Sequence, residues 1–176
     1  TWRKHGKMLA DEARRVLANA EEINGDTLVS KKEIVKVGIR QITEEDIERE
    51  ALLCINKTKK GFASLSRALN YMYKNTRTSA YLYVQCVRIG DVYYYALPGE
   101  VFVNFGLDLK KKSPSGKTLI TELAHAQNGY IPTKEAFLPQ SMLYEATTGF
   151  VSPYEENTGY MLVDKALELA KKLKNK

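Results

Sequence analysis

Two apolar runs separated by only two residues constrain the fold more than any other feature of this sequence. The first run, SAYLYVQCVRI, covers residues 79–89 and is apolar on both faces, which is typical of a central strand covered on two sides. Gly90 and Asp91 separate it from VYYYAL, and such a short connection strongly favours a β-hairpin. Pro98 cannot donate a hydrogen bond to a sheet, so the second strand ends there. The sequence therefore predicts an antiparallel hairpin within a sheet.

Helical and strand patterns surround this hairpin. Residues 7–23 carry the apolar face of a helix, which Asn24 and Gly25 would end. EIVKVGIRQI alternates apolar and polar residues as a half-buried strand does. Thr43 begins a capping box with Asp46 at the start of the next helix. The segments 47–55, 62–72, 101–111 and 158 onward indicate further helices. KTLITELAHA indicates a third strand, whereas residues 127–158 have little periodicity and many loop-forming residues. We therefore predict the α/β (α+β) class, with a mixed, partly antiparallel sheet, a central hairpin and flanking helices.

The composition excludes several classes of function. The net charge is +6, yet the lysines cluster at the ends of predicted helices, where the helix dipole favours them, and form no stripe interleaved with aromatic residues. We therefore expect no nucleic-acid partner; a basic nucleic-acid-binding domain is the weakest of three readings and predicts salt-dependent retention on DNA or RNA. No run approaches the roughly 20 apolar residues of a membrane span. Cys54 and Cys86 are too few for a disulfide framework and are expected in the core.

Three side chains in turns and loops are candidates for chemistry. Glu100 follows the Pro98-Gly99 corner, where a carboxylate can either complement the dipole of the following helix, which is its more common role, or bind a cation. Tyr130 in NGYIPT and Tyr144 in SMLYEA lie in loop-like stretches, where a tyrosine often serves only as a hydrophobic lid. His5 and His125 are the only histidines, and no HxH or HExxH motif is present. This chain alone is therefore short of nitrogen ligands for zinc.

Three segments, in order, carry a resemblance to a known family. LPGEVFVNFGLDLKKKSP, NGYIPTKEAF and LYEA resemble the C-terminal half of the neutral (non-lysosomal) ceramidases, particularly the shorter bacterial members, and HGKMLADEARRVLANAE resembles the helix leading into that half. The resemblance implies a zinc amidase that removes the fatty acid from ceramide. It implies that Glu100 and Tyr130 are zinc ligands and that Tyr144 steadies the oxyanion of the reacting amide. Pro132 stands where characterised members have a threonine.

The same resemblance implies partners for this chain. The family's two zinc-binding histidines lie in its N-terminal half, and neither histidine here lies in a matching motif. Residues 1–176 are thus expected to form a single domain or the C-terminal half of a catalytic domain, inactive alone and paired with that missing half or with a second copy. The implied substrate is an N-acyl (sphingo)lipid, and an exported or secreted protein is favoured. The alternative is a non-catalytic, ceramidase-like binding or assembly module, because a fold alone does not fix function.

Overall fold

A computed structural model describes residues 1–57, 67–68, 77–126, 128–138, 141, 143–147, 149 and 151–174. The predicted helix 62–72, apart from Arg67 and Ala68, and the side chain of Cys54 lie outside these residues. No described helix is long and apolar enough to cross a membrane. In chain order the elements are α1 (Trp2–Leu17), β1 (Leu28–Gly38), α2 (Glu44–Lys57), β2 (Ser79–Ile89), β3 (Val92–Ala96), β4 (Glu100–Val101), α3 (Val103–Lys112), β5 (Thr118–Thr121), β6 (Tyr130–Ile131), the 3₁₀ helices Lys134–Phe137 and Tyr144–Ala146, and α4 (Thr158–Lys174).

The main sheet is built on the predicted hairpin. Its strand order is β1-β2-β3-β5, with β2 antiparallel to both neighbours and β3 parallel to β5. Ile89 pairs with Val92 across the two-residue turn, and β5 joins the same sheet as the sequence predicts. A second, two-stranded sheet pairs β4 with β6. The predicted class, a mixed and partly antiparallel α+β fold with flanking helices, is confirmed.

One face of the main sheet holds the core. Helix α4 lays its predicted apolar stripe on this face, and three of its lysines, Lys171, Lys172 and Lys174, fall in the last turn. Val35 and Val37 of β1 and Leu82, Val84 and Cys86 of β2 lie opposite that stripe, and Phe105 and Leu109 of α3 complete the cluster. Burial of this apolar surface is the main stabilising contribution to the fold. The buried residues of α4 are Thr158, Gly159, Leu162, Val163, Ala166, Leu169, Ala170 and Leu173.

The opposite face of the sheet is uncovered in the described chain. The prediction that β2 is covered on both sides is wrong, because Tyr81 is 65% and Tyr83 is 43% exposed. Ile34, the cross-strand neighbour of Tyr83, is 50% exposed. The cause is that α4 and α3 pack on the other face, where the buried cluster lies. The sequence pattern therefore has apolar character on both faces, whereas the described part of the chain covers one.

Two helix boundaries show how local hydrogen bonds decide where a helix starts and stops. The first helix ends at Leu17 and not near residue 23 as predicted, because the amide of Asn19 bonds to Val16 and the Asn19 side chain donates to the Arg15 carbonyl at 2.8 Å. At α2 the predicted capping box is confirmed. The Thr43 amide donates to the Asp46 carboxylate at 3.0 Å, and the Asp46 amide donates to the Thr43 hydroxyl at 3.1 Å.

Candidate functional site

The Pro98-Gly99 corner is tied to the connection between β5 and β6. Gly99 has φ +67°, a left-handed conformation that glycine adopts at little cost. Its amide donates to the Ala126 carbonyl at 3.1 Å, and its carbonyl accepts from the Leu123 amide at 2.8 Å. A Cβ at Gly99 would lie 2.6 Å from the Gly129 carbonyl oxygen. Only glycine therefore allows the corner to approach Gly129 this closely.

The residue after the corner lies in a strand and not at a helix start. The amides of Glu100 and Phe102 donate to the carbonyls of Gly129 and Ile131 at 2.9 and 3.1 Å. These bonds keep the backbone extended, so α3 begins at Val103 and the sequence prediction of a helix from residue 101 is wrong. The helix-dipole role considered for Glu100 consequently loses its structural basis, because the carboxylate is not in the first turn of α3.

The short parallel pair β4–β6 brings two predicted site residues side by side. Glu100 is the direct strand partner of Tyr130, and Val101 is the partner of Ile131. On its other side, the Tyr130 amide donates to the Val151 carbonyl at 2.8 Å. Ile131 is buried and anchors β6 in the core. The register therefore places Glu100 and Tyr130 on neighbouring backbones, although they are distant in sequence.

The two side chains influence each other. Hydrogen bonding to the Glu100 carboxylate raises the pKa of Tyr130 above its ordinary value. Burial and the negative charges of Glu100 and Glu145 act in the same direction, because both disfavour the phenolate. The surroundings therefore favour the protonated form of the Tyr130 phenol.

Tyr144 joins this pair through its ring. The ring centroids of Tyr130 and Tyr144 lie 6.1 Å apart with an interplanar angle of 77°, an edge-to-face contact. Tyr144 is 55% exposed, so a molecule in solution can reach it. The structure brings together the three residues singled out in the sequence, Glu100, Tyr130 and Tyr144. Their roles in binding and catalysis stay predictions.

The two histidines have different surroundings from each other. His125 has φ +71° and packs its ring against Tyr83 at 6.0 Å, and His5 lies on the exposed helix α1. Among the residues that the structure describes, no three His, Cys, Asp or Glu side chains form a group able to hold a metal ion. Glu100 and Tyr130 supply two oxygen donors, one anionic and one that becomes so on deprotonation. This donor set fits part of a four-coordinate zinc site.

Sequence reasoning gave no role to two further residues near the site. Glu145 contributes negative charge to the surroundings of Tyr130. The one feature of the sequence that could have indicated this role is that Glu145 directly follows Tyr144. Arg40 follows β1, and its guanidinium reaches the 3₁₀ helix that begins at Tyr144. Its position between Ile39 and Ile42 hints at partial burial, but no motif marks it.

Comparison with known proteins places the fold. No protein-family model and no curated protein matches the sequence. Among solved structures, neutral ceramidase from Pseudomonas aeruginosa is similar with a TM-score of 0.55 and 16% identity, over 88% of this chain and 29% of that chain. A ceramidase complexed with C2 is similar with a TM-score of 0.53 and 15% identity, over 88% of this chain and 31% of that one. The chain thus spans less than a third of the ceramidases it matches, and over most of its own length it has a ceramidase-like fold.

Proposed function

We propose that this chain is part of a zinc-dependent amidase that hydrolyses the amide bond of an N-acyl lipid, as its ceramidase-like fold suggests. The observation that carries the proposal is the strand pairing of Glu100 with Tyr130, and hydrogen bonding to the Glu100 carboxylate also raises the pKa of Tyr130. A carboxylate and a phenol on paired neighbouring residues can bind one cation between them. The sequence resemblance therefore selects two residues that the strand pairing brings side by side.

Glu100 and Tyr130 are the two ligands that this chain would provide. An ordinary phenol keeps its proton at neutral pH, and hydrogen bonding to Glu100 raises the pKa of Tyr130 further. A cation must displace that proton, so metal binding and the Glu100–Tyr130 hydrogen bond compete. When bound, zinc supplies a coordinated water with a pKa of roughly 7 and polarises the amide carbonyl.

Tyr144 is the proposed donor to the oxyanion that develops on the amide carbonyl. Its ring lies against Tyr130, so its hydroxyl belongs to the same site, and its exposure leaves it accessible to substrate. A hydrogen bond that strengthens as the charge develops lowers the barrier, typically by about 3 kcal/mol for one donor. Tyr144→Phe should therefore lower the hydrolysis rate by roughly 100-fold and leave the zinc content unchanged.

The remaining two ligands of the proposed site are histidines from outside this sequence, from the N-terminal half that the resemblance implies. This chain alone should then bind zinc weakly and hydrolyse nothing. The lipid substrate and an exported location are parts of the same proposal, and both rest on likeness to ceramidases.

The test is zinc content and amide hydrolysis of the complete protein, in which this chain is combined with the polypeptide that supplies the histidines. Glu100→Gln keeps the size of the side chain but removes its charge, and we expect zinc binding to weaken at least roughly 10-fold. Glu122→Gln is the matched control, since Glu122 is an exposed carboxylate of the β5–β6 connection. If Glu100→Gln leaves both zinc content and hydrolysis unchanged, the ligand role is refuted and a non-catalytic, ceramidase-like module becomes the better description.

A further inference from the structure

We propose that Arg40 is a positioning residue that fixes Tyr144 against the Glu100–Tyr130 pair. This inference deepens the proposed function and rests on it for its catalytic meaning. The structural part, that Arg40 sets the placement of the two tyrosine rings, stands on contacts of this chain and can be tested without metal.

The backbone of Arg40 is held in place at the end of β1. Its amide donates to the Pro153 carbonyl at 2.8 Å, and the preceding residue, Ile39, forms a bridge with Tyr154. The Ile39 amide also donates to the Thr78 carbonyl at 3.0 Å, next to β2. Arg40 therefore extends from the rigid main sheet toward the irregular segment that carries the site.

Its guanidinium links the two stretches of chain that place the tyrosines. One nitrogen, Nη1, donates to the Ala146 carbonyl at 2.9 Å and to the Ser152 carbonyl at 3.5 Å. Ala146 ends the 3₁₀ helix that Tyr144 begins. Ser152 follows Val151, whose carbonyl accepts the Tyr130 amide. A single side chain thus connects the backbone of Tyr144 to the backbone that holds Tyr130.

The surroundings of the guanidinium explain why arginine suits this position. Its carbon Cζ lies 4.7 Å from the centre of the Phe137 ring, in the other 3₁₀ helix. Burial lowers the pKa of Arg40, whereas the carboxylates of Glu50 and Asp46 favour its charged form, so the side chain remains a cation. A planar guanidinium can stack on a ring and donate in fixed directions, which the ammonium of lysine cannot do.

The Arg40 bonds supplement limited packing around the 3₁₀ helices. A cleft of about 300 Å³ lies beside them, lined by Arg40, Glu50, Phe137, Leu143 and Ala146 among others. Side chains that face open space lose packing contacts on that side. Hydrogen bonds then contribute more to the placement of this segment, and the Arg40 side chain provides two of them.

The test compares two arginines that make the same kind of bond. Arg88 donates through Nη1 to the carbonyls of Leu173 and Lys174 at 3.0 and 2.9 Å, at the C-terminal end of α4. In chains with ¹³C-labelled tyrosine rings, assigned with Tyr130→Phe and Tyr144→Phe, we expect Arg40→Lys to shift the resonances of both rings because their edge-to-face contact changes. Arg88→Lys should lose similar stability and leave these two resonances in place.

Chemical rescue of one Arg40 variant and a second substitution nearby test the same inference independently. Guanidinium ion should return the Tyr144 resonance toward its wild-type position in Arg40→Ala, which a general loss of stability would not allow. If the Arg40 variants do not fold, Phe137→Leu removes the ring beside the guanidinium and should shift the same resonances by a smaller amount. Unchanged resonances for Tyr130 and Tyr144 in the folded variants would overturn the inference.

In the complete protein, the zinc-ligand role of Glu100 and the positioning role of Arg40 can be tested separately. Arg40→Lys should lower kcat by roughly 10- to 100-fold, the cost of a small misplacement of a catalytic group, with zinc content unchanged. If Glu100→Gln leaves zinc unchanged while Arg40→Lys still shifts the tyrosine resonances, the metal proposal fails and the positioning role stands. If Glu100→Gln removes zinc and Arg40→Lys leaves the tyrosine resonances unchanged, the metal proposal stands and the positioning role of Arg40 fails.

Discussion

Replacing Gly99 by alanine should separate the two strands of the candidate site. Alanine at φ +67° costs about 1–2 kcal/mol in backbone strain. The new methyl would lie 2.6 Å from the Gly129 carbonyl oxygen, and this oxygen is the acceptor of the Glu100 amide. Losing that hydrogen bond adds about 1 kcal/mol, so we expect the free energy of unfolding to fall by about 2–3 kcal/mol.

The same change should be visible at the site itself. The Glu100 hydrogen bond is the largest cause of the raised pKa of Tyr130, so moving β4 away from β6 lowers this pKa toward its ordinary value. A spectrophotometric titration of the tyrosines, with Tyr130→Phe subtracted to isolate one group, measures the effect. The sign is definite: the bond stabilises the fold at pH values below the ordinary pKa of the phenol and is lost as the pH rises through the raised one.

Gly106→Ala provides the matched control in the neighbouring helix α3. A Cβ at Gly106 meets nothing within 4 Å, so alanine should stabilise the helix by about 0.5–1 kcal/mol and leave Tyr130 unaffected. Urea unfolding of both variants gives the comparison. The reasoning is refuted if Gly99→Ala unfolds within about 0.5 kcal/mol of the original protein and its Tyr130 pKa does not move.

Three further predictions concern the scaffold. Thr43→Ala removes half of the capping box with Asp46 and should lower the free energy of unfolding in urea by about 1 kcal/mol, whereas no change would show that the cap is not formed. Hydrogen bonds from Lys165 and Lys172 lower the pKa of Glu168 to about 2, so its stabilising effect is present above 4.5 and lost as the pH falls toward 2; Glu168→Gln should flatten this part of the stability profile in acid urea titrations. Burial raises the pKa of the Cys86 thiol to about 12, so in a Cys54→Ser background a disulfide reagent should react with Cys86 only after unfolding.

The parts of the fold that the sequence predicts well are those with a clear local cause. The hairpin follows from Gly90 and Asp91 between two apolar runs, and the last helix, which begins at Thr158, follows from an apolar stripe that starts at Leu162. Thr43 and Asp46, which form the capping box, are likewise only three positions apart in the sequence. Interactions over such short distances along the chain leave their pattern in the sequence.

Apart from the end of α1, which local bonds of Asn19 decide, the parts predicted wrongly depend on distant contacts. Glu100 lies in a strand because the carbonyls of Gly129 and Ile131 accept hydrogen bonds from the backbone amides of residues 100 and 102. No sequence pattern near residue 100 indicates this pairing. The open face of β2 has the composition of a buried surface, so the sequence could not show that it is uncovered among the residues that the structure describes. For the candidate site, the family resemblance selected Glu100, Tyr130 and Tyr144, whereas Arg40 became visible only through its bonds to Ala146 and Ser152.

The position of β1 at the edge of the sheet has a consequence for aggregation. Within the described chain this 11-residue strand pairs with β2 alone, and a long free edge can recruit a strand of another molecule. Lys31, Lys32 and Lys36 are spread along it, so a second copy aligned with this edge would bring like charges together. We therefore expect these lysines to oppose edge-to-edge polymerisation, and replacing them with threonine should make the protein prone to forming fibrils.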